Sequence, residues 1–373
     1  MNYKISIIIA VYNREKFLRR AFESLKLQTI GFENLQVIFA DDCSTDTSWE
    51  IIQEFGRAHA NVEPVRLPQN SGSGGAPRNA ALGLAKAKYF MILDSDDEFT
   101  IDACRLLYDA IERTDVDFAY GYFSEVDAAG TVLLEKNKAF DNGEKVFHFP
   151  GDFASFVPVG GFFTKIYKTA LVREKSLTLP HGIPGQDVVF FLSYLLACKT
   201  AYYIDKPVYK YTRHLESISY SGSKSYFLGL NQAYKLYMEL LGKNGQSALL
   251  GQCAAAFLSF CFNKVLESKL LNDEVEEIFD AYAWLWDHCV TAKLAYWSES
   301  AQILDAVLPG KRLIVYKNLK EIRERELKLV NDNASLLQEI NSRDKILNTK
   351  AVRALLKIRH SIIKNISFGK NEL

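Results

Sequence analysis

Nowhere in the sequence do two cysteines stand as a CxxC pair, and none of the six (Cys43, Cys104, Cys198, Cys253, Cys261, Cys289) groups with histidine at metal-ligand spacing. The usual zinc signatures are therefore missing, and scattered cysteines point to a reducing compartment. A signal peptide is not expected either, because a strand-like run begins within a few residues of the N-terminus. Long hydrophobic runs are scarce. The most apolar later segment, Ser247 to Phe262, is short and rich in Ala, Ser and Gly, which predicts a buried helix rather than a bilayer span. Internal repeats, low-complexity tracts and nucleic-acid recognition motifs are absent, so nucleic acid is not an expected partner. Net charge is absent too, with 45 Lys and Arg against 45 Asp and Glu. That zero hides an asymmetry. From residue 311 to the end there are 15 basic residues against 7 acidic ones, so the part before it is acidic.

What is present is an ordinary globular composition, 48% hydrophobic and 24% charged in 373 residues, enough for two domains or one large domain with an appendage. The run Ile5 to Val11 is β-branched and nearly continuous, as a parallel strand covered on both faces requires. Phe17, Leu18, Ala21, Phe22 and Leu25 then recur at helical spacing. A strand at Leu35 to Ala40, a helix at Thr47 to Ala58, a weaker strand at Val62 to Leu67, a helix at Pro77 to Ala87 and a strand at Tyr89 to Leu93 follow. This alternation predicts a doubly wound α/β sheet with ligands at the carboxyl ends of the strands. Asn13, Asp41-Asp42 and the acidic stretch Asp94-Ser95-Asp96-Asp97-Glu98 all fall at such ends.

Carboxylates this close repel one another and call for a positive partner. One answer is a divalent cation with hard oxygen ligands, Mn2+ or Mg2+. The other is an acidic cap for the helix starting near Thr100; Asp97 and Glu98 suit that role. The glycine-rich loop Asn70-Ser71-Gly72-Ser73-Gly74-Gly75-Ala76-Pro77-Arg78-Asn79 follows the wrong strand for a dinucleotide fingerprint and lacks a P-loop ending. It reads either as a turn before a helix with Pro in its first turn, or as a close approach of backbone to a ligand with Arg78 supplying positive charge.

Taken together, Ser6 to Asn13, Asp41 to Asp46, Asn70 to Asn79 and Asp94-Ser95-Asp96-Asp97 resemble, in order and spacing, the family 2 glycosyltransferases of the GT-A fold. The resemblance implies a GT-A type mixed sheet and a nucleotide-sugar donor, usually with UDP. By the same resemblance Asp41 accepts from the uracil edge, Ala10 and Tyr12 line the base pocket, and Arg78 faces the phosphates. Asn13, Asn70 and Ser95 join the nucleotide-sugar contacts. Asp94 and Asp96 form a DxD motif, Asp94 toward the ribose and Asp96 on the metal. The glycine-rich stretch looks like that of bacterial transferases decorating wall teichoic acid, which implies a polyol-phosphate or glycan acceptor on a cell-surface polymer.

Past the acidic stretch, Asp117 to Glu125, a turn at Asp127 to Gly130 and Val132 to Leu134 form a predicted hairpin. Phe162 to Val172 resembles the family segment beneath the acceptor site, although Lys165 taken alone reads as a solvated surface lysine. In Gly185-Gln186-Asp187-Val188, Asp187 heads an apolar helix reaching Ala197, a place an N-cap also takes. An inverting transfer needs a base for the acceptor hydroxyl, and the resemblance, to a motif usually written Glu-Asp, gives that role to Asp187; Gln186 departs from it. Arg213 and His214 then follow in the family's closing segment, Arg213 for the diphosphate and His214 for the metal shell, with Ser219 to Ser225 composed like a lid.

After Tyr226 only helical patterns remain, at Tyr226 to Leu241, Ser247 to Leu271, Asp273 to Thr291 and Glu299 to Leu308. Phe257, Phe260, Phe262, Trp284 and Trp286 are expected in their core. The expected division is 1–222 catalytic (1–98 for the nucleotide sugar, 99–222 for the acceptor), 223–310 helical, and 311–373 a long helix. Residues 319–347 carry a rough heptad interrupted by Asn333, suited to a homo-oligomeric coiled coil or to one helix on the body. Residues 343–373 are basic and amphipathic, which fits either an anionic membrane surface or a solvated helix. The expected protein is a cytoplasmic, metal-dependent inverting glycosyltransferase, peripheral at the inner face of the membrane. A sugar nucleotidyltransferase and an inactive nucleotide-sugar binding module are the competing readings.

Overall fold

The computed structural model describes residues 2–127, 130–136, 143–157, 161–213 and 222–290. Strands β1 (Ile5–Val11), β2 (Leu35–Asp41), β3 (Val62–Arg66) and β4 (Tyr89–Ile92) run parallel in the order β3-β2-β1-β4. Beyond β4 the sheet continues antiparallel into β9 (Lys165–Lys168) and from it into β6 (Phe118–Val126), which runs parallel to β10 (Thr200–Thr212), and β10 pairs antiparallel with the short β5 (Glu98–Phe99). Strand β7 (Val132–Lys136) pairs with β6 as the predicted hairpin, and β8 (Lys145–His148) pairs with β10. The doubly wound mixed sheet expected from the sequence is present, and its order reverses at β1, where ligands enter such sheets.

Along β1, Ile5, Ile7, Ile9 and Val11 pack on one face with Leu18, Phe22 and Leu25 of α1 (Leu18–Lys26), while Ile8 faces the opposite core. Period-two alternation thus serves two cores, and each buried side chain contributes roughly 1.5–3 kcal/mol. The first core also holds α2 (Ser48–Ala58) and α4 (Ala103–Thr114). The second takes α3 (Gly75–Leu84) and α6 (Gln186–Ala197), with the six-residue α5 (Thr169–Glu174) beside them. Helices α7 (Lys224–Lys243), α8 (Leu250–Glu267), α9 (Asn272–Ala281) and α10 (Ala283–Val290) share that second core.

Two expected helices differ. Residues Ser247–Leu249 form a 3-10 turn ahead of α8, and a break at Tyr282 splits the last described helix in two. The Ser247–Val265 segment is, by length and composition, long and apolar enough to cross a membrane, which corrects the expectation that it is too short; half of it is buried in the body. Phe257 and Phe262 are core residues, whereas Phe260 is 41% exposed. The expected helix at 299–308, the heptad at 319–347, the basic tail at 343–373, His214 and the loop 214–221 lie outside the described residues.

Candidate active site

At the head of the crevice two loops interlock. Asn13 has a left-handed backbone, φ 51°, a conformation Asn tolerates better than most residues. Its Oδ1 accepts from the Thr45 N–H at 2.8 Å, and its own N–H donates to Ser44 Oγ at 3.0 Å, so the end of β1 is tied to the end of β2. Asp42 accepts from the Ser71 N–H and Ser71 Oγ, at 3.0 and 2.9 Å. Asn70 Nδ2 donates to the Asp42 carbonyl and its Oδ1 accepts from the Gly72 N–H. Asn13 and Asn70, both expected on the nucleotide sugar, therefore have side-chain oxygens engaged in shaping the loops.

Asp41 is different. It is fully buried at the end of β2, Arg66 Nε lies 3.3 Å from its Oδ2, and the Ser44 N–H donates to that same oxygen. Its Oδ1 is buried with no partner. A buried carboxylate oxygen without a donor is costly to leave unmade, so this atom is set for an incoming N–H. Tyr12 is 43% exposed at the mouth beside it, while Ala10 is half-buried in β1.

The acidic stretch after β4 is braced by residues far away in sequence. Asp94 Oδ1 accepts from Arg78 Nη2 of α3 at 2.5 Å, and its backbone N–H donates to Tyr209 Oη of β10. Arg78 lies 4.7 Å from the Phe162 ring, and its Nε has no partner. Asp96 sits 3.5 Å from Arg14 Nε, a cation that the sequence reading passed over. Ser95 is buried between them.

Asp97 and Glu98 do not cap a helix, contrary to expectation. Asp97 is buried and accepts from Tyr209 Oη at 2.9 Å and the Thr212 N–H at 2.8 Å. Glu98 belongs to β5 and pairs with Arg20 at 3.0 Å and Lys210 at 3.9 Å. Helix α4 starts only at Ala103, after the chain has made that short strand, so neither carboxylate reaches its first N–H groups. Burial raises Asp94, opposed by Arg78 and reinforced by Asp96. Burial also holds Asp97 well above the usual carboxylate range, with Asp96 and Asp94 adding to it.

The head of α6 closes the crevice. Gly185, at φ 77°, is its cap, so Asp187 sits inside the first turn rather than at the N-cap position. A side chain at Gly185 would strike Leu230 of α7 as well as strain the backbone. Asp187 is half-buried, and burial raises its carboxyl; Arg78 opposes that shift and Asp94 adds to it. With its amide oriented to satisfy both neighbours, Gln186 accepts from Arg78 Nη1 at 3.0 Å and donates to the Ile183 carbonyl at 2.7 Å. Arg78 thus bridges the acidic stretch to the helix carrying Asp187. The loops are also joined directly, by Gly182 N–H to Ser73 Oγ and by Asn79 to the Leu179 backbone.

Lys165 is not the surface lysine expected. It is 5% exposed on β9, its Nζ donates to the Gly161 carbonyl, and it lies 4.6 Å from the Phe191 ring of α6. Arg213, expected at the diphosphate, pairs with buried Glu125 of β6 at 2.6 Å. Among the described residues no three His, Cys, Asp or Glu side chains gather as a preformed metal cage. Asp94 and Asp96 nevertheless present hard oxygens on one turn, that of Asp96 3.5 Å from the Arg14 guanidinium. Such a donor set fits an Mg2+ or Mn2+ ion that takes its remaining ligands from a diphosphate.

Residues 6–184 match the family model described as glycosyl transferase family 2. A poly(ribitol-phosphate) beta-glucosyltransferase of Bacillus spizizenii is 31% identical over 52% of this chain and 30% of its own length. The minor teichoic acid biosynthesis protein GgaA of Bacillus subtilis is 30% identical over 61% of this chain and 52% of its own. The Staphylococcus aureus poly(ribitol-phosphate) beta-N-acetylglucosaminyltransferase TarS is 27% identical, over 70% of this chain and 44% of its own. The chain thus spans about half or less of the length of each of these three relatives. The crystal structure of S. aureus TarS 1-349 in complex with UDP-GlcNAc has a TM-score of 0.65 at 21% identity, over 87% of this chain and 92% of that one, a likeness of fold.

Proposed function

We propose that this chain, whose residues 6–184 match the glycosyl transferase family 2 model, moves a sugar with inversion from a UDP-sugar to a hydroxyl of a polyol-phosphate or related cell-surface polymer. The observation that carries this reading is the half-buried carboxylate of Asp187 at the head of α6, joined through Gln186 and Arg78 to the acidic stretch that would hold the donor. A base there would act on the acceptor side of the donor sugar. In the step itself, Asp187 takes the proton of the acceptor hydroxyl as that oxygen bonds to the anomeric carbon, and the bond from that carbon to the diphosphate breaks, releasing UDP.

The orphaned Oδ1 of Asp41 supports a uracil base, whose N3–H is a single donor at the right end of β2. Ala10 and Tyr12 wall that base, and Asp94 takes the ribose hydroxyls. Asp96, with His214, would hold the divalent ion, which when bound neutralises charge on the leaving diphosphate. Arg78, anchored by Asp94, adds a fixed positive charge beside it. The polymer acceptor is supported by the names of the relatives, and a cytoplasmic place at the membrane by the basic residues 343–373. We further assign 1–222 to catalysis and 223–310 to a helical subdomain, with 319–347 as an oligomerisation segment.

The test is Asp187→Asn with two readouts. Transfer from the UDP-sugar should fall by about 10²–10⁴-fold while UDP binding by calorimetry stays within about twofold. Near-normal turnover removes the base assignment. A thermal-shift panel of nucleotide sugars with and without Mn2+ identifies the donor, since a ligand of the native state raises stability by mass action.

A further inference from the structure

Lys165 has no place in the transfer step described above, yet among the described residues it is, with Arg78, a buried cation. An ammonium in the interior is costly unless it is compensated, and Lys165 meets one backbone carbonyl and one ring face. The ring is that of Phe191, one helical turn after Asp187 on the same face of α6. Lys165 therefore lies under the first turns of the helix that presents Asp187.

We propose that Lys165 is a positioning residue for Asp187, a buried counter-charge that keeps the carboxylate ionised and aimed into the crevice at neutral pH. The inference rests on Asp187 being the base.

The charged and titratable groups facing Asp187 come from four elements. Arg78 of α3 and Lys165 of β9 are the cations, and Asp94 after β4 is an anion. Tyr167 of β9 and Tyr226 and Tyr234 of α7 also face it, and burial raises all three above the ordinary tyrosine range, so they are neutral near pH 7. Arg78 is shared with Asp94 at 2.5 Å and with Gln186, which leaves Lys165 as the cation free of any other carboxylate partner among the described residues. Burial pulls the Lys165 ammonium down to about 7, and Asp187 works against that shift. The two groups consequently favour each other's charged form, and losing either should move the other.

The experiment follows both titrations by NMR in the full chain, with ¹³C-labelled Asp carboxyls and Lys ε-carbons, alongside pH profiles of transfer. In Lys165→Met the Asp187 carboxyl should titrate higher than in wild type, and the acid limb of kcat/KM should move up with it. Lys165→Arg, which keeps the charge, should leave both close to wild type. An Asp187 titration unmoved in Lys165→Met overturns the proposal. If circular dichroism shows that Lys165→Met is unfolded, Asp187→Asn decides: the Lys165 ammonium should titrate lower there, and an unmoved value overturns the proposal equally. Failure of the base reading looks different, since Asp187→Asn would then keep its turnover whatever the two titrations do.

Discussion

The two loops that close the ends of β1 and β2 and the acidic stretch that follows β4 border the same crevice, yet they treat polar groups in opposite ways. In the loops, Asn13, Asp42, Asn70 and Ser71 satisfy one another and the backbone. In the acidic stretch and at the head of α6, three carboxyls, Asp94, Asp97 and Asp187, are raised by burial. Satisfied networks rigidify, whereas raised carboxyls are held in a state that a ligand or proton can change. On the function proposed above, the first region is a frame and the second carries the chemistry. Asp41 stands between them, with one oxygen in the frame and one waiting.

Substitutions on the two sides should differ in kind. The largest effect is expected from Asp187→Asn, about 10²–10⁴-fold in transfer with little change in the unfolding midpoint. If stability fell instead, α6 would belong to the frame. Next comes Asp41→Asn, which should weaken UDP by roughly 10–100-fold, the cost of a hydrogen bond to a charged group. An unchanged dissociation constant by calorimetry would put Asp41 wholly in the frame.

Tyr209→Phe tests the brace behind the acidic stretch. It removes a donor to Asp97 and an acceptor for the Asp94 N–H, and should cost about 1–3 kcal/mol in urea unfolding near pH 8. The sign of its pH dependence follows from Asp97. Its folded pKa is raised, so whatever stability its protonated form contributes is present below the unfolded value and lost as pH rises through the folded one. The hydroxyl supports the charged form, so the deficit of the variant should shrink as pH falls and Asp97 takes up its proton. A deficit constant from pH 8 to 5 would contradict this account. The smallest effect belongs to Asn13→Ala, about 1 kcal/mol from the left-handed backbone and the lost tie to Thr45, with UDP affinity within about twofold. A large loss of UDP affinity there would erase the contrast between frame and chemistry.

Much of the frame was legible in order along the chain. Ile5–Val11 and Leu35–Asp41 announce themselves by β-branched continuity, and Asp41, Asp94 and Asp96 by standing where such strands stop. The strand β10 was not, because Thr200–Thr212 mixes tyrosines, lysines and a proline without a clean alternation and is recruited by pairing with β6. Lys165 was misjudged for a related reason. A lysine beside a strand is solvated by default, and only the arrival of α6 over β9 buries it.

By itself the sequence determined the alternating α/β order, the carboxylates at the strand ends and the carboxylate heading α6, since these depend on local periodicity and spacing. Tertiary structure alone decided the partners: Arg78 with Asp94 and Gln186, Arg14 with Asp96, Tyr209 with Asp97, Lys165 beneath the turn of Asp187. Periodicity reports that a side chain will be buried, but the neighbour that answers its charge is brought there by the crossing of distant elements, here 115 residues apart in the tie between Tyr209 and Asp94.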